Sequence, residues 1–463
     1  IMTQSSIYEF VQSLNGDFIG PALVFILLGT GLYFTFRLRF IPRFYFSAVR
    51  MLFSNNGKRE KATKHSGMSP LQALSTAIAS QVGTGNIVGV AMALIMGGPG
   101  ALFWLWVSAL LGMSTNFAEA VLGQLYKTRT AEGHIVGGPA FYIQNGLHSR
   151  WLARIFSVFF ILALGMIGIM VQANSISDAI TSIFPGTVNP IYIGLVLTVF
   201  VGLVLSGGIT RIASFAESVV PFMAGLFVLG SIIFICMRID RLGIVLVEVF
   251  RYAFTPEAGA GGAVGISVMS AVRYGVSRGL FSNEAGLGTT PHAHAIAKVN
   301  NCYEQGLMAI IGIGVDLLIC TFTGLVLLLS GVIDGGSNLV GIRVMQAAFD
   351  SGFGSVGNYF IAISLFFFAM STIVGWYFFA AQNVRFLFGE RPIIAYRVIV
   401  MVLVVVASVI KVELVWELAD TFNFFIVIPN VIALIWLSPK VVAESDKMKK
   451  EIFLIKKKRD AHR

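Results

Sequence analysis

Gln81-Val82-Gly83-Thr84-Gly85-Asn86-Ile87 lies inside a hydrophobic stretch that runs from about residue 70 to 97. Two glycines within three residues weaken a helix at that point. At 1.5 Å per residue the weak point falls near the middle of a membrane. A second interruption, Arg278-Gly279-Leu280-Phe281-Ser282-Asn283-Glu284-Ala285-Gly286, lies in the stretch 264–290. Lipid cannot satisfy backbone groups exposed by a broken helix, so such breaks survive only where they line a cavity or grip a ligand. One break near the start of each half of a chain points to the midplane site of a secondary transporter.

The rest of the composition agrees with a membrane setting. The 463 residues are 56% hydrophobic and 12% charged, with mean hydropathy +0.82. Soluble domains carry about 25% charge. Hydropathy divides the chain into eleven expected spans, near 18–36, 70–97, 100–126, 153–183, 189–206, 214–237, 264–290, 303–332, 357–388, 393–411 and 414–438. The first eighteen residues hold no Lys or Arg and do not read as a signal peptide.

Most of the 33 Lys and Arg sort to one side of these spans. Arg37, Arg39, Arg43, Arg50, Lys58, Arg59, Lys61 and Lys64 follow the first span. Others follow the third, and a tail ending Lys456-Lys457-Lys458-Arg459 follows the eleventh. The positive-inside rule then puts the N-terminus outside and the C-terminus in the cytoplasm. The basic tail reads as an orientation signal lying against anionic headgroups, not as a nucleic-acid site. The implied organisation is 1–66 (outer N-terminus, extra helix, basic inner loop), 67–237 (first five spans), 238–263 (outer loop), 264–438 (second five) and 439–463 (basic cytoplasmic tail). The outer loop contains Leu242-Gly243-Ile244-Val245, apolar with sparse charge, and is expected to form an in-plane interfacial helix.

Several positions carry candidate chemistry. If the helix unwinds at Gly83-Thr84-Gly85-Asn86, the second half begins near Asn86 with free N–H groups and a positive dipole end, which suits a carboxylate. The first half ends near 79–82 with unpaired carbonyls, which suit Na⁺. The same glycines equally serve close helix packing. Gln172 and Asn174 lie mid-span, as do Ser371, Thr372 and Trp376. Thr372 and Trp376 are four apart and share a helix face, either for gripping a small polar ligand or for packing.

Arg278 and Glu284 stand in an apolar stretch, paired with each other or placed at the mouth. Asp316 is a lone intramembrane carboxylate, either a cation or proton relay or a structural acid. Glu119 and Glu217 fall near span ends, where interfacial or structural roles are expected. Cys236, Cys302 and Cys320 form no CxxC pair, and His292-Ala293-His294 lacks ligand partners at metal spacing. There is no Walker A sequence and no nucleophile–base pattern, so neither ATP drive nor an enzyme is expected.

At these residues the chain resembles a known family. Gly83-Thr84-Gly85-Asn86-Ile87-Val88-Gly89-Val90-Ala91 with Gly97-Gly98-Pro99-Gly100-Ala101-Leu102-Phe103-Trp104 is similar to the signature of the alanine or glycine:cation symporters. So are the stretches 278–286, Val171-Gln172-Ala173-Asn174-Ser175 and Ser371-Thr372-Ile373-Val374-Gly375-Trp376. Two departures are visible. Cys302 stands where the family commonly has Pro, and the His292-Ala293-His294 stretch is richer in His.

The resemblance implies an all-α fold of the leucine-transporter type. Its 5+5 inverted repeat is preceded by one extra helix, with broken helices at spans 2 and 7. It implies a sodium site at Ala79, Val82, Ser371 and Thr372. It implies a substrate site at Gly83, Thr84, Gly85, Asn86, Gln172, Phe281, Thr372 and Trp376. In that site the glycine-rich turn holds the substrate carboxylate, and Gln172 with carbonyls near Phe281 meets its ammonium. Phe281, Thr372 and Trp376 wall a pocket for a small side chain. The function implied is sodium-coupled symport of L-alanine and glycine by alternating access in a bacterial-type inner membrane. Sodium is the coupling ion and no further cofactor is expected. Proton coupling or a passive channel is the alternative. A channel needs a polar lining that these spans lack. The partners are the amino acid, sodium and lipid, and no oligomeric state is implied.

Overall fold

The computed structural model describes residues 4–54, 67–130, 133–255, 268–333, 339–410 and 413–460. Lys58, Arg59, Lys61, Lys64 and Lys411 lie outside them, as does part of the expected outer loop. The side chains of the run 456–459 are likewise outside the description. The long helices are α1 (Glu9–Arg37), α2 (Pro70–Gln81 and Gly85–Gly97), α3 (Gly100–Leu125), α4 (Arg150–Ile183), α5 (Pro190–Ser206) and α6 (Gly208–Met237). They continue with α7 (Val268–Asn283), α8 (Cys302–Ser330), α9 (Ser355–Phe388), α10 (Ile393–Val409) and α11 (Glu413–Asp460).

Among the described residues seven helices are long and apolar enough to cross a membrane, or eight if the two halves of α2 count as one span. Helices α5 and α10 have 17 residues each. At 1.5 Å per residue they reach about 26 Å, just under a hydrocarbon core of about 30 Å. The outer surface carries large apolar side chains such as Phe25, Phe46, Leu203 and Trp436. Only a lipid solvent makes such a surface economical.

Local sequence explains the start and the break of α2. Ser69 caps it: its hydroxyl accepts from the Gln72 N–H at 3.1 Å, and the Gln72 side chain accepts from the Ser69 N–H at 3.1 Å. Pro70 follows at the first helical position, where its missing N–H costs nothing. At the glycine pair the axis bends by 51°. Helix α7 ends at Asn283, and Glu284 follows with φ +56°. That left-handed backbone stops a helix and is uncommon for any residue but glycine. Gly286 and Gly288 extend the turn with φ +91° and +76° before the short helix Pro291–Ala295.

Small residues set how closely the helices pack. At Gly275 of α7 an added Cβ would lie 2.2 Å from the Ala101 carbonyl and 2.9 Å from Trp104 Cβ on α3. Gly275→Ala is therefore expected to destabilise the fold by about 1–3 kcal/mol despite its gain in helix propensity. A thermal unfolding midpoint of the purified protein equal to wild type would contradict this packing.

Two expectations are corrected here, and the helix expected in the loop after α6 is present. The last helix does not stop near 438 but continues through Pro439 to Asp460. The segment 333–356 contains the unforeseen helix Ile342–Phe353. In the loop after α6, the helix Ile239–Tyr252 packs on α3 and α8. It buries Val245 and Val249, and Phe250 meets Phe103 edge-on at 5.7 Å.

Candidate functional site

The two breaks meet at the centre of the helix bundle. Within α2 the Gly83 N–H donates to Asn86 Oδ1 at 2.9 Å, so Asn86 closes the turn that the glycines open. The Thr84 N–H donates to Gln172 Oε1 of α4 at 3.1 Å. The free N–H groups expected there are thus partly answered by Asn86 and Gln172. The Thr84 hydroxyl is buried and has no partner among the described residues. Buried polar atoms are normally satisfied, so this hydroxyl stands out.

Helix α9 supplies the other wall. The Thr372 hydroxyl lies 3.0 Å from the Ala79 carbonyl, 3.2 Å from Val82 and 3.4 Å from Ser80. The Ser371 hydroxyl lies 3.3 Å from the Ala79 carbonyl. These carbonyls belong to the last turn of the first half of α2, where no helical N–H can reach them. All four residues expected for sodium are therefore grouped within one cluster of oxygen atoms, the chemistry a hard cation takes. An added Cβ at Gly83 would lie 2.5 Å from Thr372 Oγ1 and 3.2 Å from Gln172 Oε1. At Gly85 it would meet Phe281 at 3.6 Å, an ordinary contact. Gly83 is thus the glycine that close approach demands.

Trp376, one turn beyond Thr372, donates from Nε1 to Glu284 Oε1 at 2.7 Å. The Ser80 hydroxyl donates to the other oxygen of Glu284 at 3.3 Å. Glu284 is buried and ties α2, α9 and the turn after α7 together. A glycine also shapes this contact: a Cβ at Gly168, which closes a π-turn in α4, would lie 2.6 Å from the Trp376 ring. π-Turns inside helices often accompany functional sites. Phe281 is half-buried at the edge of the group.

Glu284 does not pair with Arg278, which lies 3.7 Å from Asp420 of α11 instead. The left-handed backbone at Glu284 turns the chain, so the two side chains leave in different directions. Glu119 is not interfacial. It is buried, and its Oε1 accepts from the Gly288 N–H at 2.9 Å and from Asn430 Nδ2 at 2.7 Å. Asn430 also donates to the Gly286 carbonyl at 2.8 Å and accepts from the Tyr142 hydroxyl. Glu217 meets Gln72 at 3.1 Å. Asn174 leaves the site altogether and donates to the carbonyls of Ala407 and Ile410 on α10.

Asp316 of α8 sits behind the break. Its Oδ1 accepts from Asn86 Nδ2 at 2.6 Å and from the Ser282 hydroxyl at 2.7 Å. His292 and His294 contact Asn383 and Gln305 respectively. No group of three or more His, Cys, Asp or Glu able to hold a metal occurs among the described residues. Ser80, Ser282 and Asn430 were missed from the sequence. Asn430 alone carried a signal, as one of two amides in an apolar helix.

The arrangement is a buried, oxygen-rich cluster at a double helix break. The profile of the Sodium:alanine symporter family matches residues 4–461. The chain is 38% identical over 445 residues to the sodium/alanine symporter AgcS of Methanococcus maripaludis, covering 94% of this chain and 96% of that one. It is 39% identical over 440 residues to the probable sodium/glutamine symporter GlnT of Bacillus subtilis, covering 94% and 89%. Among solved structures it is similar to MhsT in complex with L-phenylalanine, with TM-score 0.60 at 14% identity over 83% of this chain and 93% of that one. The last likeness shows the fold alone, that of the leucine-transporter-like carriers. These relatives are transporters and not enzymes, and the chain belongs to the Sodium:alanine symporter family.

Proposed function

We propose that this protein is a sodium-coupled symporter for small neutral amino acids, L-alanine and glycine foremost. It works by alternating access through eleven spans: α1 as an extra helix, then two inverted sets of five, α2–α6 and α7–α11. The N-terminus lies outside and the C-terminus in the cytoplasm of a bacterial-type inner membrane. Sodium is held by the carbonyls of Ala79 and Val82 with the hydroxyls of Ser371 and Thr372. The substrate carboxylate lies on Gly83, Thr84, Gly85 and Asn86. Its ammonium faces Gln172 and the carbonyls near Phe281, and Phe281, Thr372 and Trp376 bound its side chain.

The observation that carries this reading is the Thr372 hydroxyl, 3.0 Å and 3.2 Å from two carbonyls of a broken helix and beside the glycine turn. Ion and substrate would share that one side chain, so each favours the conformation that binds the other. Such reciprocal coupling is typically worth about 1–3 kcal/mol.

Proton coupling is the second reading. It is favoured by Asp316 and Glu284, buried carboxylates that accept from the neutral donors Asn86, Ser282, Trp376 and Ser80. Uptake of labelled alanine into proteoliposomes, with Na⁺ and pH gradients imposed separately, distinguishes the two. The sodium reading expects accumulation against the alanine gradient with Na⁺ alone. Accumulation with the pH gradient alone selects the proton, and equilibration with neither selects a channel.

A further inference from the structure

Residues 36–54, at and after the end of α1, form a corner whose chemistry the central site does not use. Arg37, Arg39, Arg43 and Arg50 fall within fourteen residues. All four are exposed, and none meets an acidic side chain among the described residues. In the sequence 37–64 the only acid is Glu60, against eight Lys and Arg. Two of the cations are laid on rings: Arg37 lies 5.9 Å from the Tyr33 centroid, and Arg43 lies 4.8 Å from that of Phe44. A guanidinium stacked this way keeps the edge of its fork open to a bidentate acceptor. Large apolar side chains stand beside them, with Phe36 78% and Phe46 83% exposed. Phe46 and Arg50 are four apart and share the outer face of the helix Tyr45–Ser54. A surface that presents rings and cations together suits the boundary between hydrocarbon and headgroups.

The backbone of the corner is unusual as well. Arg39 and Phe40 have φ +57° and +58°, two left-handed residues in a row with no glycine. Such a conformation persists only where its surroundings hold it. It turns the chain from α1 into the 3-10 turn Ile41–Phe44 and the helix Tyr45–Ser54. The inner face of that helix is anchored. Ala48 is buried, and Tyr45 fits so closely on Gly314 of α8 that an added Cβ there would lie 2.2 Å from the ring. Gly314 is two residues from Asp316, which accepts from Asn86 of the glycine turn. One face of the corner is thus committed to the bundle, and the other carries positive charge that no acid offsets.

We propose that this corner binds the headgroup of an anionic phospholipid in the leaflet where α1 ends, and that the bound lipid holds the helix Tyr45–Ser54 against α8. The guanidinium forks of Arg39, Arg43 and Arg50 take the phosphate oxygens. The acyl chains lie against Phe36 and Phe46, a contact that a free phosphate ion cannot make. A zwitterionic phospholipid offers the same phosphodiester but brings a cation of its own, which the arginines repel. The inference does not depend on which amino acid or ion the protein carries.

Amide hydrogen exchange of the full chain in nanodiscs tests this, comparing phosphatidylcholine alone with phosphatidylcholine containing phosphatidylglycerol. Amides of residues 45–54 are expected to exchange more slowly with phosphatidylglycerol, while those of α9 are unchanged. Each arginine near an anionic surface contributes about fivefold to association. Arg43→Gln combined with Arg50→Gln should therefore remove the protection at the same phosphatidylglycerol content. Arg150→Gln combined with Arg154→Gln changes two exposed arginines at the start of α4 and should keep it. The proposal is overturned by equal exchange of wild type in the two lipids. Equal loss in both double variants also overturns it, because the effect then belongs to diffuse surface charge. So does the same protection from inorganic phosphate added to phosphatidylcholine discs, which would make this a free-phosphate site. The wild-type comparison needs no substitution and decides even if a variant does not fold.

Discussion

Gly83→Ala is expected to weaken alanine binding at the central site by up to two orders of magnitude and to disturb Na⁺ dependence in the same step, whereas Gly85→Ala retains both. The added methyl at position 83 would sit 2.5 Å from Thr372 Oγ1, a distance real Cβ atoms do not show. Either Thr372 moves away from the carbonyls of Ala79 and Val82, or the turn moves away from Gln172. Overpacking a well-fitted interior costs about 1–3 kcal/mol, which is about five- to 150-fold in affinity. At position 85 the methyl meets Phe281 at 3.6 Å and needs no displacement. Binding isotherms for alanine at several Na⁺ concentrations measure both effects. Equal loss in the two variants would mean that helix propensity, not contact with α9, governs the break.

The second large effect concerns Thr372 itself. Thr372→Val keeps the shape of the side chain and removes the oxygen that faces three carbonyls of α2. Contacts to a charged group contribute about 1.5–3 kcal/mol, so the Na⁺ concentration for half-maximal uptake should rise about ten- to a hundredfold. Thr372→Ser restores the oxygen and should recover most of the response. The comparison separates an ion ligand from a packing residue, because Ser loses a methyl that Val keeps. Uptake by the Val variant with an unchanged Na⁺ curve would remove Thr372 from the ion site.

Much of this was legible in local sequence, and the reason differs from residue to residue. The break in α2 was visible because Gly83 and Gly85 act on their own backbone, and the turn after α7 because glycines and charges interrupt an apolar run. Partnerships across the bundle were not legible. Arg278 and Glu284 looked like a pair because they are near in sequence, yet each found a partner more than ninety residues away, Asp420 and Trp376. Asp316 was visible as an anomaly, but its hydrogen bond to Asn86 spans 230 positions. The partners of Glu119 were hidden for the same cause: hydropathy reports depth along one helix and says nothing of what the neighbouring helix offers, so its interfacial and structural roles stayed unresolved. The end of α11 was placed too early because hydropathy marks where the apolar run stops, while the helix carries Pro439 in its interior and continues into the charged tail.

The turn after α7 has a consequence for how the protein is made. Its backbone groups at Gly286 and Gly288 are answered by Asn430 and Glu119, and the bond between those two side chains joins residues 311 positions apart. Glu119 enters the membrane early in synthesis and Asn430 almost last. Until α11 has been inserted, the nascent chain holds an unfinished joint, with a carbonyl at Gly286 that lipid cannot satisfy. The turn after α7 is therefore assembled late: its hydrogen bonds close only once α11 has joined the bundle.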